Sequence, residues 1–188
     1  MDHINVFFKR LQSALEKNNL NGFTLRPKQV ICLDYLYRGI DVVAVLPTGF
    51  GKSLIYQVLP FLMPLKEQNN IVIVVAPLNS IIEDQIGTLK DRGIKVDILH
   101  TESGISTQIE KLFDNSDEAS CESDSLNKLQ DIQKLKLSKD ITEGKISFLL
   151  SHPESLLSKD GRNLLRSKVY QENVVAIVVD EAHCVEMW

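Results

Sequence analysis

The sequence predicts a doubly wound α/β fold built around a parallel sheet, and three observations support this prediction. Five short runs rich in Val and Ile lack polar alternation, as is typical of strands buried on both faces. Helical patterns separate most of these runs, which favours right-handed crossovers between parallel strands. A length of 188 residues with 44% hydrophobic content suffices for one lobe with one substantial core.

The predicted elements begin with two helices. Apolar residues recur at helical spacing from Ile4 to Leu15, which predicts an amphipathic N-terminal extension over residues 1–22 that packs on the main lobe at 23–188. Pro27 suits a first helical turn, so a second helix is expected from Arg26 to about Gly39. The five strands are predicted at 41–46, 71–76, 95–99, 146–150 and 174–179. Further helices are predicted at 52–63, 80–90 and 161–170.

The stretch from about 103 to 144 differs in composition from the rest. Residues 115–125 are rich in Ser and acidic residues, and 126–137 resembles a charged helix. We expect an inserted, mobile surface excursion that is a solvated loop. A phosphorylation switch at its serines is the less favoured alternative.

Cysteine usage, the length of the apolar runs and the N-terminus narrow the classes of protein, whereas charge does not. The net charge of −4 comes mostly from residues 110–124, which contribute −5 and leave the remainder at +1, so charge neither supports nor excludes nucleic acid. Cys32, Cys121 and Cys184 are widely spaced and odd in number, which argues against a disulfide framework or a Cys-x-x-Cys metal site. Apolar runs far shorter than about 20 residues predict no membrane span. The N-terminus lacks the features of a secretory signal, so an intracellular protein is expected.

A glycine-rich turn follows the first predicted strand. Its sequence, residues 46–53, is Leu-Pro-Thr-Gly-Phe-Gly-Lys-Ser. Glycines allow backbone N–H groups to close around a phosphate, while Lys52 reaches the outer phosphates and the Ser53 hydroxyl ligates magnesium. Leu46 stands where a full phosphate-loop pattern has glycine. An ordinary strand-to-helix turn is the alternative, but it has no need of a lysine followed by serine.

An acidic segment, Asp180-Glu181-Ala182-His183, follows the last apolar run. In a parallel sheet both segments lie at the carboxyl edge, where ligands bind. Lys52, Ser53, a magnesium ion and Asp180 then form one electrostatic unit, and Glu181 activates the attacking water. A solvated loop is the alternative for this segment alone. The pair of segments predicts binding and cleavage of a nucleoside triphosphate.

A family resemblance extends this prediction. Residues 48–53 resemble motif I of superfamily-two helicases, which lack the early glycine, and residues 180–183 are similar to their DEAH box. Residues 23–29 resemble the adenine-recognition motif zero of RecQ DNA helicases, and residues 75–85 resemble motif Ia. Residues 149–156 are similar to that family's Ser-Pro-Glu segment, with His152 interposed, and residues 180–188 run into the start of its aromatic-rich loop.

The resemblance implies a RecA-like lobe that binds ATP and Mg²⁺ within a 3′–5′ DNA helicase, with a second lobe beyond Trp188 and a nuclear role in DNA repair and recombination. It implies that Arg26 lies against the adenine ring, that Gln29 reads the base edge, and that His183 couples nucleotide state to the rest of the enzyme. The remaining implied nucleotide contacts are Thr48, Gly49, Phe50 and Gly51. The implied DNA contacts are Pro77, Leu78, Ser80, Ser151 and Trp188.

Two alternatives stay open at this point. A truncated, non-catalytic helicase-like protein could bind nucleotide, DNA or a partner through one lobe. An RNA helicase of the same superfamily is disfavoured by the DEAH-Cys-x-x-x-Trp continuation at 180–188. The isolated chain is predicted to bind nucleotide weakly and to unwind nothing.

Overall fold

The computed structural model describes residues 3–64, 69–100 and 137–183. Within these ranges, four parallel strands alternate with helices. The helices are α1 His3–Lys17, α2 Pro27–Tyr37, α3 Lys52–Leu62, α4 Asn79–Asp91, α5 Lys139–Thr142, α6 Pro153–Leu157, α7 Lys159–Arg166 and α8 Lys168–Asn173. The strands are β1 Ile71–Val75, β2 Val96–Leu99, β3 Phe148–Ser151 and β4 Val174–Val179.

The sheet is parallel throughout, in the order β2-β3-β1-β4. Its register aligns the strand ends, since Val75 lies opposite both Ser151 and Val179. The backbone N–H of Asp180 then donates to the carbonyl of Val75 over 2.9 Å. The carboxyl ends of three strands therefore meet at one edge, and the predicted parallel α/β fold is confirmed.

Side chains of the strands divide the core into two layers. Val72 and Val74 face one layer, whereas Ile71 and Ile73 face the other. Helices α1 to α4 contribute to the first layer, and α5, α7 and α8 contribute to the second. This two-sided burial explains why the strand sequences are apolar without alternation.

The N-terminal helix belongs to this core. Phe7, Leu11 and Ala14 of α1 are buried in the same cluster as Val58 and Leu62 of α3. The predicted apolar stripe therefore packs on the lobe, with α1 lying across α3.

The predicted strand at 41–46 is wrong. This segment has no strand hydrogen bonds, and the side chains of Val43 and Val45 are 92% and 90% exposed. A strand needs a neighbour for its backbone groups. Among the described residues none pairs with the outer edge of β4, where Ile177 is also exposed. The apolar residues of this segment suggested a strand, but apolar content carries no information on pairing.

Smaller differences concern helix boundaries. The helix predicted at 161–170 is two helices, because the Ser167 hydroxyl caps α8 by accepting the N–H of Tyr170 over 3.4 Å. Helices α5 and α6 were not predicted. The predicted insert falls mostly outside the described residues, but its end does not form a surface excursion, since Ile141 is buried in the second layer. Within the described residues, no helix is long and apolar enough to cross a membrane.

Leu149→Ala should lower the free energy of unfolding by about 2–5 kcal/mol, because Leu149 is fully buried in the second layer. Urea unfolding followed by circular dichroism measures this loss. Val43→Ala is the matched control and should change stability by no more than about 0.5 kcal/mol, because its side chain is exposed. Equal losses for the two variants would contradict the described burial.

Candidate nucleotide-binding site

The turn at 47–51 is held in a tight, glycine-dependent shape. Gly49 and Gly51 have φ of +75° and +85°, the left-handed region that side chains disfavour, and Gly51 is the N-cap of α3. The N–H of Phe50 donates to the carbonyl of Pro47 over 3.2 Å. A Cβ on Gly51 would lie 2.7 Å from Nε2 of Gln29, so a larger residue would have to displace this amide in addition to adopting a positive φ. The free N–H groups of the first turn of α3 make this end of the helix favourable for an anion.

Lys52 and the acidic segment lie together as predicted. Nζ of Lys52 is 4.0 Å from Oε1 of Glu181, and both side chains are about 30% exposed. Nδ1 of His183 lies 3.2 Å from Oε2 of the same carboxylate. Glu181 therefore stands between two nitrogen groups.

Glu181 also has an unusual backbone conformation. Its φ is +53°, which is uncommon for a residue with a side chain and costs on the order of 1–3 kcal/mol. Its N–H donates to Oδ1 of Asp180 over 3.0 Å, which helps to hold the turn. Such conformations cluster at functional sites.

Tyr56 is a residue of the site that sequence reasoning missed. It lies one turn after Lys52 on α3, and its hydroxyl donates to Oδ2 of Asp180 over 3.1 Å. Burial first, and then the Asp180 charge, raise the pKa of Tyr56 well above its ordinary value, so the hydroxyl keeps its proton. The spacing of four residues from Lys52 was the available signal, because it places both side chains on one face of the helix.

The Ser53 hydroxyl joins a polar network between α3 and α4. Nε2 of Gln85 donates to it over 3.4 Å, while Nε2 of Gln57 donates to Oε1 of Gln85 over 2.6 Å. The Arg92 guanidinium donates to Oε1 of Gln57 over 2.9 Å. Ser53 therefore connects the phosphate end of the site with helix α4.

The predicted base-binding residues surround an open cavity of about 350 Å³ beside the loop. Arg26 is exposed and its guanidinium lies 4.7 Å from the ring centre of Phe50, a cation–π contact. Gln29 is buried, and its Nε2 donates to the carbonyls of Phe50 and Gly51 over 3.2 and 3.0 Å. Its Oε1 accepts the N–H of Arg26 over 2.8 Å. Gln29 is thus fully engaged in positioning the loop.

The cavity covers the base end of the site only. Gly49, Gly51 and Ser53 border it together with the base-binding residues, whereas Lys52, Asp180 and Glu181 do not. Thr48 is exposed at the turn itself. The residues predicted to face the phosphates, Lys52, Asp180 and Glu181, are instead held together by their own contacts.

The predicted DNA contacts are only partly brought together. Pro77 is half-buried, and Leu78 and Ser80 are exposed at the start of α4, at the carboxyl edge of β1. Ser151 is buried, and its hydroxyl donates to the carbonyl of His152 over 2.8 Å, so it does not reach this surface. His152, for which the sequence suggested no partner, has its Nε2 2.7 Å from Oδ1 of Asn79. Trp188 lies outside the described residues.

Oxygen donors that suit magnesium come from Ser53 and Asp180. Magnesium prefers oxygen ligands and keeps several waters, so a hydroxyl and one carboxylate beside a phosphate suffice. Tyr56 connects their elements, because it lies on α3 with Ser53 and its hydroxyl donates to Asp180. In the described part of the chain, no group of three or more His, Cys, Asp or Glu forms an all-protein metal site.

Comparison with known proteins identifies the family of the chain. The family model of the DEAD/DEAH box helicases matches residues 26–188. The chain is 31% identical over 184 residues to the RecQ-like DNA helicase blm-1 of Caenorhabditis elegans, covering 96% of this chain and 15% of that protein. It is 29% identical over 170 residues to the ATP-dependent helicase SGS1 of Saccharomyces cerevisiae, covering 90% and 10% of the two chains.

A bacterial relative gives the same result. The chain is 31% identical over 156 residues to the ATP-dependent DNA helicase RecQ of Synechocystis, covering 83% of this chain and 26% of that protein. The chain thus spans between 10% and 26% of the length of these curated relatives. By its family match and these similarities, the chain belongs to the DEAD/DEAH box helicases, as a RecQ-like member.

Proposed function

We propose that this chain is the N-terminal ATP-binding lobe of a RecQ-type, ATP-dependent DNA helicase that unwinds in the 3′ to 5′ direction. The observation that carries the proposal is the convergence of Lys52 on Glu181 and of Tyr56 on Asp180 across the carboxyl edge of the sheet. This arrangement brings a cation, two carboxylates and a helix N-terminus to one point. Phosphoryl transfer depends on positioning and on neutralisation of charge, and this combination supplies groups for both.

Lys52 exchanges partners when nucleotide binds. In the ligand-free chain its ammonium group is paired with Glu181. In the complex, Lys52 moves to the outer phosphates, and Glu181 is released to orient and activate the attacking water. Ser53 and Asp180 hold magnesium, which when bound neutralises charge on the phosphates. His183 stays beside Glu181 and is the proposed link between nucleotide state and the rest of the enzyme.

The base occupies the cavity beside Arg26 and Gln29. Arg26 leaves the face of Phe50 to lie against the adenine ring, a comparable stacking contact. Gln29 contacts the base edge with both ends of its amide only if Nε2 gives up a hydrogen bond to the loop, because Nε2 donates to two loop carbonyls. Base recognition and loop position are therefore coupled through one amide.

DNA crosses the exposed start of α4. Leu78 and Ser80 are accessible there, and the first-turn N–H groups of α4 suit a phosphate. His152 and Asn79 border this surface and extend the proposed interface. Trp188 remains a proposed contact on the basis of the resemblance.

The complete motor is larger than this lobe. The relatives are several times longer, which supports a second lobe beyond Trp188 that completes the ATP site. A nuclear location and roles in DNA repair and recombination follow from the resemblance to eukaryotic members, although bacterial proteins are among the relatives. A non-catalytic binding protein is the competing outcome of the tests below.

Lys52→Ala should abolish ATP hydrolysis by the intact gene product and weaken nucleotide binding by this chain at least tenfold, because the outer phosphates lose their cation. Binding is measured by fluorescence titration with an ATP analogue, and hydrolysis by phosphate release with single-stranded DNA present. Lys95→Ala is the control, since Lys95 is exposed before β2 at the opposite edge. Undiminished hydrolysis in the Lys52 variant would refute the proposal. Binding without turnover in the wild-type gene product would favour the non-catalytic alternative.

Gly51→Ala and Gly49→Ala separate a steric clash from backbone strain. Each variant places a side chain at positive φ, which costs about 1–2 kcal/mol, but only the Cβ at Gly51 collides with Gln29. We expect the Gly51 variant to be the less stable in urea unfolding and to lose more nucleotide affinity. Identical behaviour of the two variants would show that Gln29 does not fix the loop.

Ser80→Asp should weaken single-stranded DNA binding several-fold at low salt, because a carboxylate at the start of α4 repels phosphate. Fluorescence anisotropy with a labelled oligonucleotide measures the change. Thr142→Asp is the control, because it adds the same charge at an exposed position of α5, before the amino end of β3. It should have little effect on DNA binding. An equal loss of DNA affinity in the Thr142→Asp variant would show that the DNA does not bind at the start of α4.

A further inference from the structure

Tyr56 is the residue that joins the two halves of the proposed site. It lies on α3, which starts at the glycine-rich turn, and its hydroxyl reaches Asp180 at the end of β4. These residues are 124 positions apart in sequence. The side chain is only 5% exposed, so this hydrogen bond is shielded from water.

Both oxygens of the Asp180 carboxylate are fixed by different donors. The Tyr56 hydroxyl donates to Oδ2 over 3.1 Å, and the N–H of Glu181 donates to Oδ1 over 3.0 Å. Two donors at different oxygens determine the plane of the carboxylate. Each oxygen retains a further lone pair for a cation or for a water bound to it.

The same helix carries the other proposed magnesium ligand. Ser53 and Tyr56 are three residues apart on α3, so their side chains lie on one face of the helix. The Asp180 carboxylate that Tyr56 holds therefore lies beside the face of α3 that carries Ser53.

We propose that Tyr56 is a positioning residue that orients the Asp180 carboxylate toward Ser53 and so sets the affinity of the site for the magnesium complex of the nucleotide. This inference rests on the proposed function and extends it by one residue. The hydroxyl touches neither nucleotide nor metal. Its effect is transmitted through the carboxylate that it holds, as outer hydrogen bonds commonly act at metal sites.

Tyr56→Phe tests the proposal because it removes the hydroxyl and keeps the buried ring. Binding of a fluorescent ATP analogue is titrated twice, once in excess Mg²⁺ and once in EDTA. We expect the variant to bind the magnesium complex about tenfold more weakly, which is the lower end of the range for the loss of an outer hydrogen bond at a metal site. Binding in EDTA should be unchanged. The Mg²⁺ concentration for half-maximal binding should rise in parallel.

Two further variants identify the source of any loss. Tyr35→Phe is the matched control, because Tyr35 is exposed and lies against Arg38. In an Asp180→Asn background, Tyr56→Phe should have little further effect, since the charged acceptor is gone. Thermal unfolding of each variant measures the structural contribution separately.

The outcomes separate this proposal from the one on which it rests. If the wild-type chain binds no nucleotide in either condition, both fail. If the wild type binds the magnesium complex and Tyr56→Phe binds equally well, the positioning role is refuted and the nucleotide site stands. Equal weakening with Mg²⁺ and with EDTA would likewise refute it, because that pattern indicates a structural role alone.

Discussion

The docking of helix α3 against the sheet is the constraint on which the whole site depends. The segment before α3 does not pair with any described strand, so no backbone ladder connects the glycine-rich turn with β4. Core packing holds α3 against the sheet instead, since Val58 and Leu62 of α3 share a cluster with Val72 and Val74 of β1. The Tyr56–Asp180 hydrogen bond completes the link at the edge where the chemistry is proposed.

Charge balance at that edge explains how a site with several ionised groups stays stable without ligand. Unpaired charges removed from water are costly, and Lys52 and Glu181 reduce that cost by facing each other. Because both are partly exposed, the pair adds little net stability, so a phosphate can replace the carboxylate at small cost. The N–H of Glu181 donates to Asp180 and helps to hold the strained turn. A movement of either acidic residue would therefore move the other.

The sequence predicted the parallel sheet, the four strands that pair in it and the convergence of Lys52 and the acidic segment at one edge, because each depends on local pattern or on strand polarity. It failed at 41–46, where apolar content indicated a strand but pairing depends on a neighbour elsewhere in the chain. It also missed the role of Tyr56 and the two hydrogen bonds from Gln29 to the loop, since both depend on contacts between distant parts of the chain. The family motif implied that Ser151 faces DNA, whereas its position within β3 buries it.

A polar chain extends the influence of the site beyond the phosphates. Ser53, Gln85, Gln57 and Arg92 form consecutive hydrogen bonds between α3 and α4, and α4 begins at the proposed DNA surface. Movement of Ser53 toward a cation would break the first of these bonds. A cation at Ser53 would in this way act on the helix that begins at the proposed DNA surface.

The most direct test of this account is a crystal structure of the chain with Mg²⁺ and a non-hydrolysable ATP analogue. The account predicts that Nζ of Lys52 leaves Glu181 for the outer phosphates, that Ser53 and Asp180 flank the metal, and that Tyr56 still donates to Asp180. A nucleotide bound away from the glycine-rich turn, or bound there with Lys52 still paired to Glu181, would contradict it.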